Sequence, residues 1–179
     1  MKNILAAPGK VIVKFRPYRR DGLIEIPDRH KPESCEAEIV HDSNGEWQPG
    51  LLVIVSTLDG TYWKPDEEED RICTIKRQSV LMAFTEKDGK IETIRPLQRA
   101  VITTFEEPAG EISGFAIPSQ FQRYQNEGKV LATGPGDWEF REGVTIYFER
   151  IYATKLAIDG KKALYVPEKL IYGLQEMAA

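Results

Sequence analysis

Long apolar runs are missing from this 179-residue chain. Nothing approaches the roughly 20 consecutive apolar residues of a membrane-spanning helix, so no membrane partner is expected. Cysteine and histidine are scarce: Cys35 and Cys73, His30 and His41. None of these stands at the spacing of a metal site, and Cys73, inside the strand-like run Ile72-Cys73-Thr74-Ile75, reads as packing. No cofactor is implied, because no Gly-rich loop lies between a strand and a helix and Gly134-Pro135-Gly136 is followed by neither a helical pattern nor a Lys-Ser/Thr pair. With neither metal ligands nor a dinucleotide loop, an enzyme is not expected. Charge of one sign is also lacking. Lys and Arg number 24 against 28 Asp and Glu, a net of -4. The basic residues are scattered and form no stripe, which argues against nucleic acid as a partner. The first residues, Met1 to Pro8, hold too short an apolar run for a secretion signal, and the reading they suggest is cytoplasmic.

No segment shows a sustained helical period. The chain instead offers short β-type runs separated by turns: Lys10 to Phe15, Glu36 to His41, Leu51 to Thr57, Arg71 to Lys76 and Val80 to Phe84, then Arg99 to Phe105, Gly128 to Thr133, Val144 to Arg150, Thr154 to Ile158, Ala163 to Val166 and Leu170 to Leu174. This pattern predicts an all-β fold, and small closed barrels would leave no strand edge open. The acidic run Asp66 to Asp70 lacks calcium-loop spacing and reads as a solvated turn.

The two sets of runs repeat each other. Val11-Ile12-Val13 matches Val101-Ile102-Thr103 at an offset of 90, and Pro27, Glu36, Gly45 and Trp47 match Pro118, Glu127, Gly136 and Trp138 at 91. Val80-Leu81 matches Leu170-Ile171 at 90 again. Two copies of one module follow, Lys2 to Lys87 and Ile91 to Gln175, joined at Asp88-Gly89-Lys90. As domains these are residues 1–90 and 91–179.

Each copy carries an apolar triplet in a polar stretch, with Pro after it and Gly just before: Phe115-Ala116-Ile117 and Ile24-Glu25-Ile26. In extended backbone Phe115 and Ile117 share one face, and Ile24 and Ile26 share a face opposite Glu25. Such a triplet fits a partner-binding loop, the alternative being a loop tucked against the core.

Ile94-Arg95-Pro96-Leu97-Gln98, Ser113 to Pro118, Asn126 to Gly136 and Ala157-Ile158-Asp159-Gly160, in this order, resemble the GroES-type co-chaperonins, the chaperonin-10 family. Lys10 to Lys14, Gly22 to Asp28 and Lys31-Pro32 ahead of Glu36 to Val40 are a looser match, so the whole chain resembles a tandem co-chaperonin. The resemblance implies two GroES-like irregular β-barrels in a homo-oligomer that caps the ATP-bound ring of a GroEL-type chaperonin and assists protein folding. It places the chaperonin-binding tripeptide of the mobile loop on Phe115, Ala116 and Ile117 and on Ile24, Glu25 and Ile26; Phe115 and Glu25 depart from the usual aliphatic residues. It also implies a roof hairpin after Gly45 and Gly136, for which Gly50 and Gly143 leave little room. The other class open to the sequence is a non-enzymatic structural or assembly protein, viral or not, that reuses the two-barrel module.

Overall fold

The chain is all-β in its computed structural model, which describes residues 5–16, 34–56, 60–63, 72–106, 111–112, 115–116, 126–136, 139–158 and 161–175. It divides into two compact units, Met1–Gln98 and Arg99–Ala179. Regular structure among the described residues consists of strands and three 3-10 turns.

The first unit is a seven-stranded sheet. Its strands are β1 (Lys10–Phe15), β2 (Ser34–Asp42), β3 (Leu52–Ser56), β4 (Gly60–Trp63), β5 (Ile72–Lys76), β6 (Val80–Lys87) and β7 (Lys90–Pro96), in the order β4-β5-β1-β2-β3-β6-β7. β-branched residues dominate β1 and β3, Lys-Val-Ile-Val-Lys-Phe and Leu-Val-Ile-Val-Ser, and their stiff side chains suit a pleated, half-buried surface. Val11, Val13, Ala37, Ile39, Val53, Val55, Cys73, Ile75, Val80 and Ala83 form one buried cluster, with Phe15, Trp47, Leu51 and Leu97 packed against it. Strands from both halves of the sheet feed this single cluster, so the sheet curls around it.

The second unit has β8 (Ala100–Thr104), β11 (Glu127–Thr133), β12 (Thr145–Phe148), β13 (Thr154–Ile158), β14 (Lys161–Pro167) and β15 (Ile171–Leu174), in the order β13-β14-β8-β11-β12-β15. A separate pair holds β9 (Glu111–Ile112) and β10 (Phe115–Ala116). β11 alternates between faces, burying Gly128, Val130 and Ala132. The core is Val101, Val130, Val144, Ile146, Phe148, Leu164 and Val166.

With β7 set aside, which has no counterpart in the second sheet, the two orders match strand for strand. Val13 pairs with Ile39 beside a bulge, and Thr103 pairs with Val130 beside a bulge at the equivalent place. Val53 faces Ala83 as Ile146 faces Leu174, and Val11 faces Ile75 as Val101 faces Val166. The turns agree too: Gly50 N–H donates to Ile39 O at 2.8 Å and Gly143 N–H to Val130 O at 2.8 Å, both glycines at φ +88°. Only a residue free of a Cβ adopts that conformation without strain.

Two differences from the sequence reading stand out. The sheets are curled but not closed barrels, since among the described residues no ladder joins β4 to β7 or β13 to β15. Short four-residue strands at two of the four ends, β4 and β15, limit the exposed edge. And Asp88-Gly89, read as the joint between copies, is the two-residue turn of the β6–β7 hairpin, so the stretch 91–96 is hydrogen-bonded in the first unit.

Candidate functional site

The triplet of the second unit begins in the smallest ladder among the described residues. Phe115 of β10 pairs with Ile112 of β9, and Ala116 with Glu111. Only Ser113 and Gly114 separate Ile112 from Phe115 in the sequence, the spacing of the shortest hairpin. Phe115 and Ala116 therefore occupy successive positions of extended backbone, as the sequence predicts. Ile117 lies outside the described residues, as do Ile24, Glu25 and Ile26 of the first copy, His30, Trp138 and the acidic run 66–70. The pairing with Glu111-Ile112 was not anticipated; the available signal was Ser-Gly placed between two short runs containing apolar residues.

Glu106 and Asn126 flank segment 107–125, to which β9 and β10 belong. Both flanking residues are bonded from the end of β12 and the turn that follows it. Phe148 N–H donates to Asn126 O at 2.9 Å, while Arg150 Nη2 donates to Glu106 O at 3.1 Å. The Arg150 guanidinium also lies 4.4 Å from the centre of the Phe105 ring, a cation–π distance, and Arg150 is buried. In the first unit Arg16 and Glu36, described residues on either side of the corresponding segment 17–33, are joined by a different chemistry. Arg16 N–H donates to Glu36 O at 3.1 Å, and Arg16 Nη1 reaches Glu86 Oε2 at 2.6 Å and Glu36 Oε2 at 3.4 Å. The hydrogen bond to Glu86 raises the Arg16 pKa despite the opposing effect of burial.

At the other end of the first sheet, Asp42 organises the turn between β2 and β3. Its buried carboxylate accepts the backbone N–H groups of Asn44, Glu46 and Trp47 at 3.3, 3.0 and 3.1 Å. It also accepts Arg77 Nε and Nη2, both at 3.3 Å. Arg77 stacks 4.0 Å above the Trp47 ring and donates to Glu46 at 2.6 Å. Burial alone would raise the Asp42 pKa, but the hydrogen bonds and the Arg77 charge outweigh it and leave the group below its ordinary value. A shallow cleft of about 280 Å³ is lined by Glu46, Trp47, Arg77, Gln78, Leu97 and Gln98. Its principal polar groups already have partners, Gln98 Nε2 donating to Arg77 O and Val80 O, so it reads as a structural knot. No roof hairpin rises between β2 and β3, where residues 43–51 form this compact turn.

The cysteines are packing residues. Cys73 is fully buried where the second unit has Leu164, each facing the equivalent position of β1 or β8. Burial pushes the Cys35 thiol up to about 12, far from a reactive thiolate. Among the described residues no group of three or more His, Cys, Asp or Glu is arranged to hold a metal ion.

Residues 93–175 match the family described as the chaperonin 10 Kd subunit. Co-chaperonin GroES of Parvibaculum lavamentivorans is 32% identical over 95 residues, which cover 48% of this chain and 90% of that protein. The chain belongs to the chaperonin 10 family. Co-chaperonin GroES of Symbiobacterium thermophilum is 32% identical over 79 residues, 38% of this chain and 81% of the relative, and that of Corynebacterium jeikeium is 28% identical over 93 residues, 46% and 94%. These chaperonin 10 relatives thus each align with about half of the chain or less. The family region begins inside β7 and takes in β8 to β15, including the β9–β10 hairpin.

Proposed function

We propose that this chain is a tandem co-chaperonin: two GroES-like modules, in a homo-oligomer, that cap the ATP-bound ring of a GroEL-type chaperonin and so assist protein folding. The observation that carries this reading is the chaperonin 10 match over 93–175 together with a first unit that repeats the second strand for strand. The chain itself is not an enzyme in this account, and ATP is hydrolysed by the partner. Its place of action is the cytoplasm, where such a partner would be met.

Docking runs through the loop tripeptides, Phe115-Ala116-Ile117 and Ile24-Glu25-Ile26. Burying Phe115 and Ile117 contributes on the order of 1.5–3 kcal/mol each before the cost of ordering the loop, so one loop binds weakly. Several loops on one assembly make the later contacts intramolecular, which raises avidity while leaving release possible when the ring changes state. Glu25 is tolerated if its carboxylate stays in water. Assembly through the open edge of β15 is supported by the comparison with β6: these strands are equivalent, and β6 is covered by β7 whereas β15 is covered by no strand among the described residues. A second copy adding a strand there would complete the second sheet as β7 completes the first.

Ile117→Asp tests the docking role. Nucleotide-dependent capture by a chaperonin ring is expected to disappear with the melting temperature unchanged. A large loss of stability with this variant would place Ile117 in the core and remove the loop from the account. Ile26→Asp, measured alongside, reports whether the first loop is a second anchor.

A further inference from the structure

The stretch 5–8 leads into β1 as β7 leads toward β8, but the two approaches are held differently. β7 is fixed along β6 by a strand ladder. Residues 5–8 form no strand. Leu5 keeps 72% of its surface exposed, and Ala7 and Pro8 are exposed as well, so apolar burial does little to hold them. The stretch is fastened to the sheet by a hydrogen bond from Ala6 N–H to Nδ1 of His41 in β2, at 3.1 Å. Backbone bonds take over from there, Lys10 N–H donating to Ala7 O at 2.9 Å and Arg77 N–H to Gly9 O at 3.3 Å.

A backbone amide nitrogen only donates, so His41 Nδ1 offers a lone pair and the ring is neutral with its proton on Nε2. A protonated imidazole carries N–H on both nitrogens and has no acceptor to give. Histidine is the side chain whose charge ordinarily changes between pH 5 and 8. The second unit shows that the sheet does not demand this ring. His41 faces Ile12 in β1, and at the equivalent place Ala132, buried, faces Ile102 in β8. By alternation, the charged groups on the face of His41 are Lys10 and Lys14 of β1, Lys76 of β5 and Glu38 of β2 itself. The stretch 5–8 carries no charge. Asp42, next in β2, sits opposite Val11 on the other face and is engaged by Arg77, as is Glu46 in the turn that follows. Protonation of the ring therefore removes the acceptor and adds a cation to a face that holds three lysines and one carboxylate.

We propose that His41 is a pH-sensitive latch, holding Ala6 and the approach to β1 against the first sheet as the neutral ring and releasing them on protonation. The latch adds control by acidity, and it does not rest on the co-chaperonin reading.

The test uses the full-length wild-type protein between pH 7.5 and pH 5.0. Nitrogen-15 shifts of the His41 ring report its protonation and tautomer. Amide exchange at Ala6, corrected for the intrinsic pH dependence of exchange, reports the bond. The expected result is the Nε2–H tautomer at pH 7.5 and a loss of about tenfold in Ala6 protection that follows the titration of the ring. Glu46 is the control amide. It donates to Asp42, which stays ionised across this range because its pKa lies below 3.8, so its protection is expected not to change. His41→Gln supplies an acceptor that does not titrate, and its Ala6 protection is expected to be the same at both pH values. His41→Phe removes the acceptor and is expected to give the low value at both. A ring that titrates with Ala6 protection unchanged would overturn the proposal, as would an Nδ1–H tautomer at pH 7.5 or a ring still neutral at pH 5.0. The same loss on acidification in His41→Gln would overturn it too, by placing the pH-sensitive group elsewhere. The wild-type measurement decides by itself if either variant fails to fold.

Discussion

Thr103 stands in β8 where the first unit has Val13, and its hydroxyl is buried without a hydrogen-bond partner among the described residues. A buried hydroxyl left unpaired costs about 1–3 kcal/mol, and valine has nearly the same shape. Thr103→Val is therefore expected to stabilise the protein by about 1 kcal/mol, read as a higher urea midpoint with an unchanged slope. Close beside it on β11, Gly128 occupies the place of Ala37. An added Cβ would come 3.0 Å from both Thr103 Cβ and Oγ1 and 3.1 Å from the Thr104 backbone oxygen. The backbone contact cannot swing aside, so Gly128→Ala is expected to destabilise by about 1–3 kcal/mol in the same titration. Asp42 gives a pH signature. Its folded pKa lies below the ordinary 3.8, so as pH falls the unfolded chain takes up this proton first. The stabilisation is thus fully present above about pH 5 and is lost as the pH drops through 3.8 toward the folded value. Asp42→Asn is expected to unfold more easily at neutral pH by roughly 1–3 kcal/mol, and urea titrations should show the gap to wild type closing below about pH 4.

Among the elements, the β6–β7 hairpin shows how local chemistry can be read in two ways. Asp88 and Gly89 sit at φ 52° and 77°, both left-handed, which is the two-residue turn that matches the twist of its flanking strands. Asp-Gly is a strong signal for that turn, yet a repeat boundary at the same position made it read as a joint. Gly89→Ala is expected to cost about 1 kcal/mol because alanine is strained there, while Asp88→Asn should be tolerated; thermal melts of the two variants separate them. The core strands were legible because β-branched runs with turn signals at short intervals leave little alternative, and Cys73 was correctly read as packing. β4 and β9–β10 escaped the reading since strands of four and two residues are too short to show a period. The extended backbone of Phe115 and Ala116 was legible from the Gly and Pro around their triplet. Arg150 was not, because it meets Glu106 across 44 residues of sequence, and nothing in the local pattern around either residue announces the contact.

For the whole molecule, the repeat offset of 90 to 91 seen between Val11 and Val101 and between Trp47 and Trp138 has its counterpart in two sheets of the same order and register. Closure was not legible: sequence marks where strands begin and end, but whether the last strand meets the first depends on curl and stagger set by tertiary packing. The lack of a hairpin between β2 and β3 was legible, from the two residues between Trp47 and Gly50. In the proposed function these two units make a cap whose binding depends on the state of a chaperonin ring. Size-exclusion chromatography with light scattering, on the protein mixed with a chaperonin ring of the GroEL type, tests it most directly. Co-elution that requires ATP or a non-hydrolysable analogue is the predicted result, and the mass of the complex then gives the number of chains in the cap. Separate elution under every nucleotide condition, including with the chaperonin of the source organism, would contradict it.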